Sequence, residues 1–406
     1  MHVVSSDIII LGGGLVGLTT AIGLEQAGFS VTVVDHLPKG EFELSAFDGR
    51  SSALAYAPCQ LLDVLGIWDY IKDHAQPILE IRVTDGRRPS LMHLHFDNEE
   101  LGDGPLGHLV ENRHTRLALM KRLEACENVT WLDGQSVKNI ERDTGRVTLE
   151  LETGSLVTGA LLVGADGRHS MVRKWAEFPL THWSYQQSGI VCTIEHEESH
   201  CGIAHEKFLP SGPFAILPLT GNRSSIVWSE KTHLVDTVMG LSDRAFESEL
   251  QRRVGDFLGK VSVIGGRWAY PLQLHWCDHF VDNRVTLIGD ACHGMHPIAG
   301  QGLNLGLRDV AALVEVLTKN ARSGMDIGSL TVLEEYQMWR RMDNAMLLSV
   351  TDGLTHLFSN DHSIIKQART AGLALVNEIP MAKKFFMSHA RGTIGELPEL
   401  LKGNRP

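Results

Sequence analysis

Three segments, far apart in the chain, each place glycines and a carboxylate where a strand runs into a helix. In the segment nearest the C-terminus, Arg284 to Ile288 reads as a strand. Gly289 and Asp290 end it, and a turn carrying Pro297, Gly300, Gln301 and Gly302 opens a helix through Asn304 and Gly306. A strand that ends in Gly-Asp delivers a carboxylate at its C-terminal edge, where it can accept from a sugar hydroxyl. Gly300, Gly302 and Gly306 let backbone pack closely around a flat ligand. The helix after Gly302 points free N–H groups and its positive dipole end into the turn, which favours an electron-rich ring or a phosphate.

The N-terminus offers the complementary half of such a site. Asp7 to Leu11 reads as a short strand, Gly12-Gly13-Gly14-Leu15-Val16-Gly17 as a tight turn, Leu18 to Ala27 as a helix, and Ser30 to Val34 as a second strand closed by Asp35. Gly12 permits the turn, Gly14 lets a pyrophosphate approach the backbone, and Gly17 lets the helix pack on the next strand. Asp35 sits where an acid bonds ribose hydroxyls. Glycines alone would be a weak signal. Strand, turn, helix, strand and acid in order make a dinucleotide site, without separating NAD from FAD.

The middle segment separates them. Ala160 to Val163 reads as a strand, Gly164-Ala165-Asp166-Gly167 as a turn, and the residues up to Arg173 as the start of a helix. With it the sequence resembles the FAD-dependent aromatic-ring monooxygenases built like p-hydroxybenzoate hydroxylase, which carry three such signatures in this order. Further segments resemble the ubiquinone-biosynthesis hydroxylases more closely: Asp48 to Ala55, Gly107 to Arg113, Gly212 to Leu219, Ser225 to Ser229, Tyr270 to Leu272 and Leu373 to Pro380. The resemblance covers nearly the whole chain and is weakest at Met1 to Ser6, Arg82 to Asp103 and beyond Leu397. Asp35 stands where family members often carry glutamate.

The resemblance implies an α/β fold, with a Rossmann-like FAD-binding domain, an interleaved antiparallel-sheet substrate domain and C-terminal helices. It implies FAD as cofactor, O2 as cosubstrate and NAD(P)H as electron donor, a ferredoxin system replacing NAD(P)H in some members. The implied reaction is hydroxylation of the aromatic ring of a polyprenylated phenol through a flavin hydroperoxide. Gly12, Gly14, Gly17 and Asp35 would hold the dinucleotide, and the Asp166 turn would help bind FAD and NAD(P)H. Gly289 and Asp290 would hold the ribityl chain, and Pro297, Gly300, Gln301, Gly302 and Asn304 would follow the flavin edge. Arg50 would touch flavin phosphate or control flavin movement, and Asn112 and Arg116 would sit near the ribityl chain or ring. No residue is singled out as catalytic, since the cofactor carries the chemistry. Two alternatives stay open: a hydroxylase of a soluble phenolic acid, and a non-catalytic flavoprotein of a biosynthetic complex.

At 406 residues and 43% hydrophobic, the chain is long enough for two substantial cores. A net charge of −12 argues against nucleic acid as a partner. No apolar run reaches the roughly 20 residues that span a bilayer, and no signal peptide is read, so a cytoplasmic protein is expected. A prenylated substrate adds peripheral contact with the inner face of the membrane, and leaves open other pathway proteins and a homo-oligomer as partners. The six cysteines are scattered without ligand spacing, and His293 and His296 lack an acidic or cysteine companion at metal spacing, so no metal is expected.

The cofactor domain is expected over 1–81, 107–179 and 280–317, the substrate domain over 82–106 and 180–279, and a helical region over 318–406. Short β-rich stretches between Gly189 and Tyr270 predict an antiparallel sheet, with a helix over Asp243 to Leu258 packed on its outer face. Apolar residues Leu354, Leu357, Phe358, Phe385 and Phe386 offer a mouth for a prenyl tail or a helical core. Three side chains carry two readings each: Glu111 as general base or structural acceptor, His205 as substrate lining or outward strand residue, and Trp228 as core or substrate contact.

Overall fold

The computed structural model describes residues 2–44, 49–86, 94–100, 102, 104–294, 302–358, 383, 387–388 and 391–405, with backbone alone for 42–44, 85 and 346–358. Pro297, Gly300, Gln301 and His296 lie outside the described residues, as do the side chains of Leu354, Leu357, Phe358, Phe385 and Phe386.

The strands Ile8–Leu11, Val31–Val34 and Leu161–Gly164 are apolar at nearly every position and buried throughout, the pattern of parallel strands covered on both faces. They lie within a sheet ordered Val281–Asp282, Val285–Leu287, Leu161–Gly164, Ile8–Leu11, Val31–Val34, Val129–Leu132. Its pairs are parallel except at the Val281–Asp282 edge. Gly164 is opposite Leu11 on one side and Leu287 on the other, so the three signature strands are neighbours that end at one edge. The helices Leu15–Gln26 and Gly302–Arg322 cover one another closely, a Cβ on Gly23 falling 3.1 Å from Val314 Cγ2.

A second, larger sheet is ordered His293–Gly294, Val261–Cys277, Leu180–His196, Arg223–Lys231, Gly212–Leu219, Ile203–Leu209, Glu80–Asp85, Leu94–Asp97. It is antiparallel apart from the Ile203–Leu209 and Glu80–Asp85 pair, which runs parallel. Its outer face buries Ile190, Cys192, Phe214, Ile216, Ile226 and Trp228 against Phe246, Leu250 and Val254 of the helix Asp243–Val254. Trp228 is therefore core, and His205, whose ring centroid lies 4.6 Å from that of Phe257, also faces outward. The inner face turns toward the small sheet of Ser51–Ala55, Gly107–Glu111 and Gln76–Ile78, where Ala204 packs with Ala53, Ile78 and Leu109.

Candidate cofactor site

At the edge where the three signature strands end lies a cavity of about 470 Å³. Its lining draws on all parts of the dinucleotide reading: Gly12, Gly14, Asp35, Arg116, Asp166 and Gly167. Gly12 has φ +113°, and a Cβ there would meet the Ala165 carbonyl oxygen at 2.3 Å, so the first turn lies directly on the middle one. A Cβ on Gly17 would fall 1.9 Å from the Gly12 carbonyl oxygen and 3.3 Å from Ala165 Cβ. Gly17 thus lets the helix close on the turn and the middle segment.

Gly14 is the N-cap of the helix Leu15–Gln26, offers no side chain to its free N–H groups, and has nothing within 4 Å of where a Cβ would stand. An uncapped helix start beside an open cavity suits a pyrophosphate. Asp35 is buried and accepts from Gly13 N–H and, at 2.8 Å, from Leu37 N–H, which fixes its carboxylate on the cavity wall with lone pairs to spare for hydroxyls. Asp166 accepts from Met171 N–H at 2.6 Å with one oxygen, while the buried Oδ1 has no partner. That orphaned acceptor, the uncapped helix and the Gly14 opening fit a polar dinucleotide. Arg116, expected beside the ribityl chain or ring, lines this same cavity.

The Gly289-Asp290 turn is held from beneath by a network in which Asp309 and Arg340 were singled out by no sequence motif. Arg173 donates to the Ala291 carbonyl at 2.8 Å and to the Arg168 carbonyl at 2.8 Å, tying the middle segment to the last. His275 Nε2 lies 2.8 Å from the Asp290 carbonyl oxygen. Asp309 accepts from Gly289 N–H at 2.9 Å and from Arg340 Nε at 2.7 Å, with His293 Nε2 at 2.6 Å. Asp309, His293 and Arg340 are each at most 2% exposed. Burial works to raise the Asp309 carboxyl, but His293 and the Arg340 guanidinium outweigh it and hold the group well below the usual carboxylate range. Arg340 in turn pairs with Asp343, which pairs with Arg308, whose guanidinium donates to the carbonyls of Gly392 and Ile394. The Asp290 side chain itself is exposed at the strand end.

Asn304 does not reach the cavity wall: its amide bridges the strand Ser51–Ala55, accepting from Ala55 N–H at 3.0 Å and donating to the Ala53 carbonyl at 2.8 Å. Asn112 accepts from the Ser52 hydroxyl at 2.7 Å, and Asn112 N–H donates to the Arg50 carbonyl. The exposed Arg50 guanidinium stands 5.7 Å from the Tyr270 ring centroid on the large sheet. Beside it a Cβ on Gly49 would be 2.3 Å from Trp268 Cε3, so this loop lies flat on the sheet's inner face.

Glu111 resolves in favour of structure. It is 3% exposed and takes Arg113 at 2.9 Å and His114 at 3.1 Å, with Arg223 of the large sheet at 3.7 Å. Burial pulls its carboxyl upward, but those hydrogen bonds and the two guanidinium charges bring it to about 2, too acidic for a base toward a phenol. Because the folded pKa lies below the unfolded one, this stabilisation is complete above the unfolded value near 4.5 and is lost as pH falls toward about 2. Unfolding by guanidinium should show the wild-type protein losing about 2 kcal/mol more than Glu111→Gln between about pH 6 and about pH 3. Parallel pH dependence in the two proteins would contradict the ion-pair account.

The chain matches the family model described as FAD binding domain over residues 5–342. A ubiquinone hydroxylase of Rhodospirillum rubrum, UbiL, is 45% identical over 98% of this chain and 93% of its own length. The 3-demethoxyubiquinol 3-hydroxylase of Escherichia coli is 35% identical over 95% of this chain and 98% of its own. Among solved structures, p-nitrophenol 4-monooxygenase PnpA of Pseudomonas putida superposes with a TM-score of 0.81 at 20% identity, covering 98% of this chain and all of the other, which speaks for the fold. On these matches and this architecture, the chain belongs to the FAD-dependent aromatic hydroxylases of the ubiquinone-biosynthesis family.

Proposed function

We propose that this enzyme hydroxylates the ring of a polyprenylated phenol, drawing electrons from NAD(P)H. The observation that carries the reading is the single cavity built from Gly12, Gly14, Asp35, Arg116 and Asp166, next to a turn that presents Asp290. Gly14 and the helix start behind it would take the FAD pyrophosphate, with Arg116 adding positive charge. Asp35 would accept from the ribose hydroxyls and Asp290 from the ribityl chain. Bound and reduced, FAD supplies activation of O2 for oxygen transfer to an electron-rich ring. The protein's part is to place that ring and keep water away, and the inner face of the large sheet, with Trp268, Val191, Val227 and Ala215, is an apolar wall suited to both.

In this reading 1–81, 107–179 and 280–317 hold the cofactor, 82–106 and 180–279 furnish the wall, and 318–406 brace the flavin turn. A prenylated phenol resides in lipid, so the working position is the inner membrane surface, reached by transient contact and shared with other pathway proteins. Among the described residues no helix is long and apolar enough to cross a membrane.

The test is the flavin absorbance of the purified protein, followed by NADH and NADPH oxidation with and without a short-chain prenylphenol. The reading predicts bound flavin and nucleotide oxidation accelerated by the prenylphenol. Acceleration by a soluble phenolic acid alone would move the substrate class, and a flavin that neither nucleotide reduces would exclude NAD(P)H as donor.

A further inference from the structure

The strand Ile203–Leu209 sends alternate side chains to opposite faces. His205 and Lys207 face outward, Lys207 Nζ donating to the carbonyls of Arg253 at 3.1 Å and Val254 at 2.7 Å. Ala204, Glu206 and Phe208 face inward. Register places Glu206 in one cross-strand row with Val83, Ala215, Val227, Val191 and Trp268. It is the one charged residue in that row, next to Val83 at one end, and Trp268 at the other end touches the Gly49 loop.

The surroundings of Glu206 are apolar on two sides. Ala204, two residues away on the same face and thus about 7 Å distant, packs with Ile78, Leu109 and Ala53. Ala53 is the residue whose carbonyl accepts from Asn304, at the start of the helix that follows the flavin turn. Val83 packs with Leu94, Phe96, Leu106 and Met387. Among the described residues the Glu206 carboxyl has no hydrogen bond and no ion pair. It is nonetheless partly accessible while being surrounded by protein on most sides. Burial alone pushes the group up to about 8, so at neutral pH it is mostly a neutral acid, able to donate as well as accept.

An unpartnered carboxyl in an apolar wall lowers stability, and it persists where a ligand completes it. We propose that Glu206 anchors the ring hydroxyl of the substrate, and so selects an uncharged phenol; this rests on the hydroxylase reading above. A neutral acid complements a neutral hydroxyl on both sides of the hydrogen bond. The row carries no basic side chain to meet a substrate carboxylate, and its apolar members suit a ring and the first part of a prenyl chain.

The experiment compares FAD-loaded wild type, Glu206→Gln and Glu206→Leu, following the change in flavin absorbance as a short-chain prenylphenol, or the same prenylarene without its hydroxyl, is added. Wild type should bind the phenol at least about tenfold more tightly than the arene, since a site built around a hydroxyl rejects the analogue lacking it. Glu206→Gln, which can still donate and accept, should keep most of that preference. Glu206→Leu should bind both compounds alike, with FAD content unchanged and a melting temperature no lower than wild type. Undiminished preference in Glu206→Leu, with wild type hydroxylating the phenol, overturns the anchor alone. A wild-type protein that holds FAD and oxygenates no phenol overturns the hydroxylase reading and the anchor with it.

Discussion

Replacing Asp309 with alanine should strip the protein of FAD and lower its stability by about 3–5 kcal/mol, the cost of leaving a buried charge without its partner. Asp309 is the hub of the network under the Gly289-Asp290 turn: it accepts from Gly289 N–H, His293 and Arg340, all in a region closed to water. Without it, Arg340 keeps Asp343 and Asn344 among the described residues, and Gly289 loses the acceptor that fixes the turn. Thermal unfolding and the flavin-to-protein absorbance ratio measure the two effects separately. The pair Asp309→Leu with Arg340→Met, which removes both charges, should recover much of the stability while FAD stays weakly held. A single variant that melts with wild type and retains flavin would show that the network does not position the turn.

The second large effect separates folding from cofactor binding within one loop. Gly12→Ala places a Cβ within 2.3 Å of the Ala165 carbonyl oxygen at a backbone φ of +113°, so strain and backbone collision fall where two central strands end. The expected result is a protein that does not accumulate in folded form. Gly14→Ala differs: φ is −73° and the added methyl meets only open cavity. Its melting temperature should fall by only a few degrees, because alanine in place of glycine at an N-cap costs about 1 kcal/mol. Its FAD affinity should fall by about a hundredfold or more, as the methyl occupies the close approach that a pyrophosphate needs. Isothermal titration of FAD into deflavinated protein measures this. Equal affinity in Gly14→Ala would remove the pyrophosphate from this position.

What could be read from the residues was local. Glycines and an acid at a strand end declare themselves within a few positions, and apolar runs such as Ile8–Leu11 and Leu161–Gly164 announce buried parallel strands, so the α/β fold and the meeting of three segments were within reach. The brace beneath the flavin turn was not, because Asp309 and Arg340 lie 31 positions apart and meet only when two helices pack. A signal was present in the charged pair Arg308-Asp309 set among Leu305, Leu307, Val310 and Ala311, all buried, since charges on a core-facing stretch need partners.

Asn112 and Arg116 stand four apart on one helix and were expected to act together. The short amide meets Ser52, while the longer guanidinium reaches the cavity lined by Gly12, Gly14 and Asp35. Glu206 sits in an ordinary strand pattern, and only the row across the sheet exposes it as a carboxyl among apolar neighbours.

The measurement that bears most directly on the central claim is turnover of a short-chain prenylphenol under 18O2, with the product analysed by mass spectrometry. A ring hydroxyl carrying one 18O atom from O2, formed only by FAD-loaded protein, is the predicted result. Reduced nucleotide consumed with no oxygenated product, or a product whose new oxygen comes from water, would contradict it.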